Sequence, residues 1–319
     1  MHEEARARIL TKLRLELGRE ICNALEDPEV IEILLNPDRS LWIERVGGKI
    51  DKIKEMHPSV AESVISTVAS YVGTIVTKER PILECEFPLD SSRFEALLPP
   101  VVTSPAFSLR KKAVKVMTLN DYVVNGILDQ EQMNMLVEAV RARKNVIVAG
   151  GTSSGKTTFT NALIDATVKE TPEHRLVIIE DTREIQCQAE NHVMLRTTEG
   201  VTMTSLLRAT MRLRPDRILV GEVRGGEALA LLKAWNTGHS GGVATLHANH
   251  AYAALIRLEQ LIAEATETPM QRLIAEAVDI IVVIAKTPEG RRITEIAEVS
   301  DYDLNKGYKL NFWGKHEKN

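Results

Sequence analysis

Gly150-Gly151-Thr152-Ser153-Ser154-Gly155-Lys156-Thr157 is the stretch that decides how this chain reads. It fits the pattern G-x4-G-K-[ST], between the short aliphatic run 145–149 and a helix-patterned segment, 157–168. The glycines let successive backbone N–H groups turn inward around phosphate oxygens. In the following segment Phe159, Ala162, Leu163 and Ala166 share one face, so a helix is expected, with its positive end aimed at the same anion. A glycine-rich turn before a helix needs neither the lysine nor the threonine, so a phosphate cradle is the better reading. The eight residues and Thr158 are expected to hold ATP, with Lys156 on the β- and γ-phosphates and Thr157 on Mg2+.

Working outward, short apolar runs recur at 176–179, 218–220, 243–246, 280–285 and 293–299, with helical stretches between them. Runs without polar alternation fit a parallel sheet covered on both faces, hence an α/β domain. In such sheets ligands sit beyond the carboxyl ends of the strands. Glu180 and Asp181 follow the first run, Glu222 the second and His247 the third. Phosphoryl transfer to water needs one group for the metal and one to orient the water. An apolar strand followed by an acid assigns Glu222 to the magnesium shell; Glu180 is then the candidate to polarise the attacking water. Asp181 reads as a supporting charge, and His247 as a sensor of the γ-phosphate. A carboxylate at a strand end can equally be a cap, and a lone histidine a satisfied structural residue. The functional reading rests on their arriving together. Arg208, Arg212, Arg214 and Arg217 form a basic cluster before Glu222, read as solvated surface or a subunit contact. An arginine finger reaching a neighbouring subunit is the alternative.

Before the loop the pattern differs. One apolar helical stripe spans 6–25, two strands with a turn at 36–39 follow, a second helix covers 60–76, and extended segments run from 81 to 110. Residues 1–115 are expected to form an α+β domain with a linker reaching about 126, and residues 127–319 the α/β domain. The three cysteines, Cys22, Cys85 and Cys187, lie far apart without a CxxC pair, which disfavours structural zinc and fits a reducing compartment. A net charge of −4 disfavours direct nucleic-acid binding without excluding it. The charged start is not a secretory signal, and 280–285 is far too short for a membrane span. A soluble cytoplasmic protein is expected, able to sit on a membrane through a partner.

Four ordered boxes resemble the secretion-ATPase superfamily of type II and type IV secretion, pilus dynamics and conjugation. They are 150–157 (Walker A), 178–184 (Asp box), 218–224 (Walker B) and 237–249 (His box). The stretches 214–217 and 232–239 are similar to the conjugal-transfer branch of type IV secretion, as is 93–100 with Arg110 after it. The resemblance implies a RecA-like P-loop domain behind a smaller N-terminal α+β domain. It implies ATP hydrolysis, and a homohexamer at the cytoplasmic face of the inner membrane, working with inner-membrane components of a secretion or conjugation apparatus. It further implies that Arg93 and Arg110 approach the phosphates from the N-terminal domain. A four-cysteine zinc module frequent in type II and pilus-assembly members is absent from the sequence, which favours the conjugation or type IV branch. A pilus-retraction motor, a RecA-like DNA translocase or helicase and a non-hydrolysing nucleotide-binding scaffold are the rival readings.

Overall fold

A computed structural model describes residues 3–46, 48–112, 116–198 and 200–314. The chain divides into two compact units, residues 1–114 and 115–319.

The first unit opens with helix α1 (Glu3–Glu26), broken at Gly18, whose φ of 76° and ψ of 172° are not helical. Strands β1 (Val30–Leu35), β2 (Ser40–Arg45) and β3 (Ile50–Glu55) follow, then helix α2 (Pro58–Val72) and strands β4 (Ile82–Glu86), β5 (Arg93–Leu97) and β6 (Ala106–Arg110). The strands form a six-stranded sheet in the order β3-β2-β1-β6-β5-β4, and all its pairings are antiparallel. Leu13, Leu17 and Ile21 of α1 join Val64, Ile65 and Val68 of α2 over Ile33, Phe94 and Leu109 of the sheet. The helical stripe noted at 6–25 is therefore the face that closes this core. Strand β3 was not evident from sequence: Ile50 and Ile53 stand three apart among charges, so they share no strand face, and both are exposed at the sheet's edge.

The second unit begins inside the stretch read as a linker. Residues 113–115 lie outside the described residues, but 119–124 form helix α3 (Leu119–Val124), and Leu119 and Tyr122 are buried. Thr118 and Asp121 cap it reciprocally, each side chain bonding the other's backbone amide. Helix α4 (Gln130–Arg141) precedes strand β7 (Val146–Ala149), and α5 (Lys156–Glu170) follows the glycine loop. Then come β8 (Leu176–Glu180), β9 (His192–Arg196), α6 (Met203–Thr210), β10 (Arg217–Val220), α7 (Glu227–Asn236) and β11 (Val243–Leu246). The unit ends with α8 (Ala251–Ala263), α9 (Gln271–Ala277), β12 (Ile280–Thr287), β13 (Gly290–Asp303) and β14 (Gly307–Phe312).

Its eight-stranded sheet has the order β14-β13-β12-β7-β11-β10-β8-β9. Strands β12, β7, β11, β10, β8 and β9 run parallel; the run at 293–299, read with the parallel sheet, instead lies in β13, which returns from β12 through a tight turn and with β14 forms an antiparallel edge. Val146 and Val148 face a layer made by α3, α4 and α5, whereas Ile147 and Ala149 face α6 to α9. One strand thus feeds two cores, which explains its unbroken apolar run. None of the described helices is long and apolar enough to cross a membrane.

Candidate active site

Strand order places the four boxes in one row. The glycine loop leaves β7, His247 follows β11 beside it, Glu222 follows β10, and Glu180 ends β8. Because these strands are parallel and in register (Leu246 against Ala149, Val220 against Ala244 and Ile179), their carboxyl ends meet along one edge.

At the first position of the row, Gly155 caps α5 with φ of +102°, a conformation that L side chains rarely adopt. The helix start it leaves has no side-chain cap, so its amides remain for an anion. Lys156 is buried, and its Nζ donates to the carbonyls of Gly150 and Gly151, both at 3.0 Å. The same ammonium lies 3.3 Å from His247 Nδ1. His247 Nε2 is in turn 2.9 Å from Glu222 Oε1, and Arg224 Nη2 donates to Glu222 Oε2 at 2.6 Å. Arg224 Nη1 also approaches Asp181 at 3.8 Å. A polar chain therefore runs Lys156–His247–Glu222–Arg224–Asp181 through all four boxes.

The electrostatics assign the protonation along this chain. Burial lowers the pKa of His247, and the Lys156 charge lowers it further against the pull of Glu222. A neutral imidazole accepts from Lys156 at Nδ1, and its Nε2 lies 2.9 Å from Glu222 Oε1 without the alignment of a hydrogen bond. Burial pushes the Glu222 carboxyl up, but the Arg224 hydrogen bond and the charges of Arg224, His247 and Lys156 outweigh it and hold the group ionised.

Glu180 is buried at the end of β8, and its Oε1 accepts from the amides of Glu184, at 3.0 Å, and Ile185, at 2.8 Å. It thereby folds the Asp-box loop back toward α5. Buried Asn161 of α5 pins that loop from the other side, donating to Glu184 O and accepting from Gln186 N. The result sets Glu184 Oε2 within 3.1 Å of Thr157 Oγ1, the hydroxyl expected at the metal. Glu184 lay in the quoted box, but nothing in the sequence singled it out. Its role depends on a loop reversal set by Glu180 and Asn161, and only the capping power of a buried carboxylate could have hinted at it. Asp181, read as a supporting charge, also accepts from Thr197 Oγ1 at 2.8 Å.

The arginine cluster requires a correction. Arg208, Arg212 and Arg214 are exposed, but Arg217 is 1% exposed and is neither surface nor subunit contact. Its guanidinium donates to the carbonyls of Gly241 and Val140 and to His174 Nδ1, tying the amino ends of β10 and β11 to α4. Burial first, and then the neighbouring Arg143, lower its pKa to about 10. Arg93 and Arg110 belong to the first unit, where they are directly paired across β5 and β6, with Glu86 and Glu32 on either side in the same row. Arg93 Nη2 also binds Glu84 Oε1 at 3.2 Å.

The family model described as "Type II/IV secretion system protein" matches residues 18–298. The probable conjugal transfer protein TrbB of Sinorhizobium fredii (strain NBRC 101917 / NGR234) is 52% identical, over 92% of this chain and 91% of its own length. The conjugal transfer protein TrbB of Rhizobium radiobacter is 50% identical, over 93% and 92%. Among solved structures, the pilus retraction motor PilT with bound ADP superposes with a TM-score of 0.65 at 19% identity, covering 93% of this chain and 83% of that one. That likeness speaks for the fold, a two-domain RecA-like architecture, and for the fold alone.

Proposed function

We propose that this chain, which belongs to the type II/IV secretion system protein family, is the ATP-hydrolysing motor of a conjugative or type IV secretion apparatus. The family is one of ATPases, and two TrbB conjugal transfer proteins match this chain over nearly its whole length. The observation that carries the reading is the continuous polar chain from Lys156 through His247 to Glu222, because it joins the phosphate loop to the carboxylate expected at the metal.

In this reading ATP binds with its phosphates on the amides of 150–158 and on Lys156. The oxygen donors around Thr157 suit Mg2+, a hard cation that favours hydroxyl and carboxylate oxygens. Thr157 and Glu222 would hold it, and Glu184 would orient the Thr157 hydroxyl. The metal supplies charge neutralisation on the phosphates; the remaining work falls to side chains of this chain. Lys156 exchanges the carbonyls of Gly150 and Gly151 for phosphate oxygens and stabilises transferred charge. Glu180, with one oxygen fixed by two amides, polarises the attacking water. His247 lies between Lys156 and Glu222, so a change in either contact on loss of the γ-phosphate moves the imidazole. A phosphate-binding role for Arg93 and Arg110 rests on the family resemblance alone. The working form is a homohexameric ring at the cytoplasmic face of the inner membrane, bound to inner-membrane components of the apparatus.

The test is phosphate release by wild type and Lys156→Ala, with and without DNA and with and without lipid. Turnover by the wild type that is lost in Lys156→Ala is expected. Wild-type-like hydrolysis by the variant would sink the assignment. DNA stimulation that falls steeply with salt would favour a translocase instead.

A further inference from the structure

The groups that bear on hydrolysis all lie on one side of the phosphate loop. His247 and Glu222 follow β11 and β10, and Glu180 ends β8, these strands being successive neighbours away from β7. The other flank is closed by β12 and β13, and none of the four boxes reaches it. Ile284 of β12 backs the loop there: its carbonyl lies 2.4 Å from where a Cβ on Gly150 would sit. One strand further out, Arg291 pairs with Lys286 beside the β12–β13 turn and extends back over the loop. Its Cδ lies 3.2 Å from the position of a Cβ on Gly155, and its Nη2 is 3.5 Å from Ser153 O. Among the described residues no carboxylate pairs with it, and the carbonyl contact is at the long limit of a hydrogen bond. An exposed guanidinium leaning on an anion-binding loop, with only that weak partner, is set up to take a phosphate oxygen.

A nucleotide whose γ-phosphate meets Lys156 and Glu222 has its other end pointing toward the opposite flank. We infer that Arg291 binds the α-phosphate of the nucleotide, acting as a clamp on the part shared by ATP and ADP. The inference rests on the ATP reading of the glycine loop and adds a ligand-binding residue from outside the four boxes. The α-phosphate stays through hydrolysis, so the clamp serves affinity and leaves the chemical step alone.

The experiment measures binding of MgATP and of MgADP by calorimetry, with steady-state turnover, for full-length wild type, Arg291→Ala, Arg291→Lys, Arg292→Ala and Lys156→Ala. Arg291 is exposed at a turn, so its variants are expected to fold. In Arg291→Ala both nucleotides should lose affinity equally, by about tenfold or more, the factor of a lost charge-assisted hydrogen bond. KM should rise by the same factor while kcat holds within about threefold. Arg291→Lys should recover most of the loss, because a point charge still serves a phosphate, and Arg292→Ala should match wild type. Unchanged affinity would overturn the inference. A loss confined to ATP would place the contact at the γ-end and overturn it too. No recovery with lysine would indicate stacking on the base instead of a phosphate contact. Turnover by Lys156→Ala would mark failure of the ATP reading itself, separately from any result at Arg291.

Discussion

Replacing Asn145 by alanine should loosen the sheet that carries the site while leaving nucleotide binding in place. Asn145 is 3% exposed, at the amino end of β7. Its Oδ1 accepts from Gly241 N at 2.7 Å and Gly242 N at 3.0 Å, and its Nδ2 donates to Ala277 O at 2.8 Å. One side chain thus fastens the starts of β7 and β11 to the end of α9. Alanine leaves two buried donors and one buried acceptor unmatched, at about 1–3 kcal/mol each. Taken in the lower part of that range, the loss is about 3–5 kcal/mol. For a unit of this size each kcal/mol lowers the midpoint by roughly 2–4 °C, so a fall of about 10 °C is expected. Aspartate should do no better, since it turns an oxygen toward Ala277 O and buries a charge. Scanning calorimetry of the full chain would follow the transition that MgADP raises, since that one reports the nucleotide-binding unit. The glycine loop leaves the opposite end of β7, so MgADP affinity at 15 °C should stay within about twofold of wild type, a few tenths of a kcal/mol. A midpoint within 2 °C of wild type, or lost affinity with the midpoint intact, would refute the reasoning.

The site itself offers further tests. In Gly221→Ala the new Cβ would sit 3.0 Å from Glu180 Cγ, displacing the carboxyl that holds the Asp-box loop. kcat should drop about tenfold, about 1.4 kcal/mol, with ATP affinity preserved, and an unchanged kcat would show that Glu180 tolerates the shift. Glu184→Ala should raise several-fold the Mg2+ concentration giving half-maximal turnover, because Thr157 loses its acceptor; the same Mg2+ dependence as wild type would remove Glu184 from the metal's surroundings. His247 has its pKa lowered from 6.5, so it stays neutral at and above that pH and gains its proton only on acidification. Since the unfolded chain then binds the proton more tightly, stability and activity should both fall below pH 6.5, as an imidazolium faces Lys156. His247→Gln should lack that acid limb of the kcat profile, and an unaltered limb would assign it elsewhere.

Much of the candidate site's placement was legible because its motifs are tied to local backbone demands. A lysine and a threonine at fixed distance from two glycines leave few readings, and an acid directly after an aliphatic run marks a strand's carboxyl end. Residues whose jobs depend on remote partners were not legible. Arg217 looked like one more surface arginine, because the carbonyls of Val140 and Gly241 that bury it are 77 and 24 residues away. Glu184 needed the loop reversal imposed by Glu180. The His box proved to hold two separate devices: Gly241 and Gly242 lie at the amino end of β11, clamped by Asn145, and His247 at the carboxyl end beside Lys156. The helix α3 was available in principle, since Thr118-Leu119-Asn120-Asp121 has the spacing of a reciprocal cap, but six residues give too little periodicity to stand out. Strands β9 and β14 escaped notice because edge strands need not be uniformly apolar.

The strand order also bears on how the protein is made. On a ribosome β7 is complete at residue 149, yet neither of its neighbours exists until β11 ends at residue 246 and β12 follows. Meanwhile β8, β9 and β10 are adjacent in both sequence and space and can pair as they emerge. The phosphate loop is thus translated before its support and completed after it, through long-range pairings of the kind that fold slowly. A nascent chain stalled before residue 243 carries the whole nucleotide-binding motif with neither of the strands that flank β7, so such fragments should not be retained on an ATP matrix.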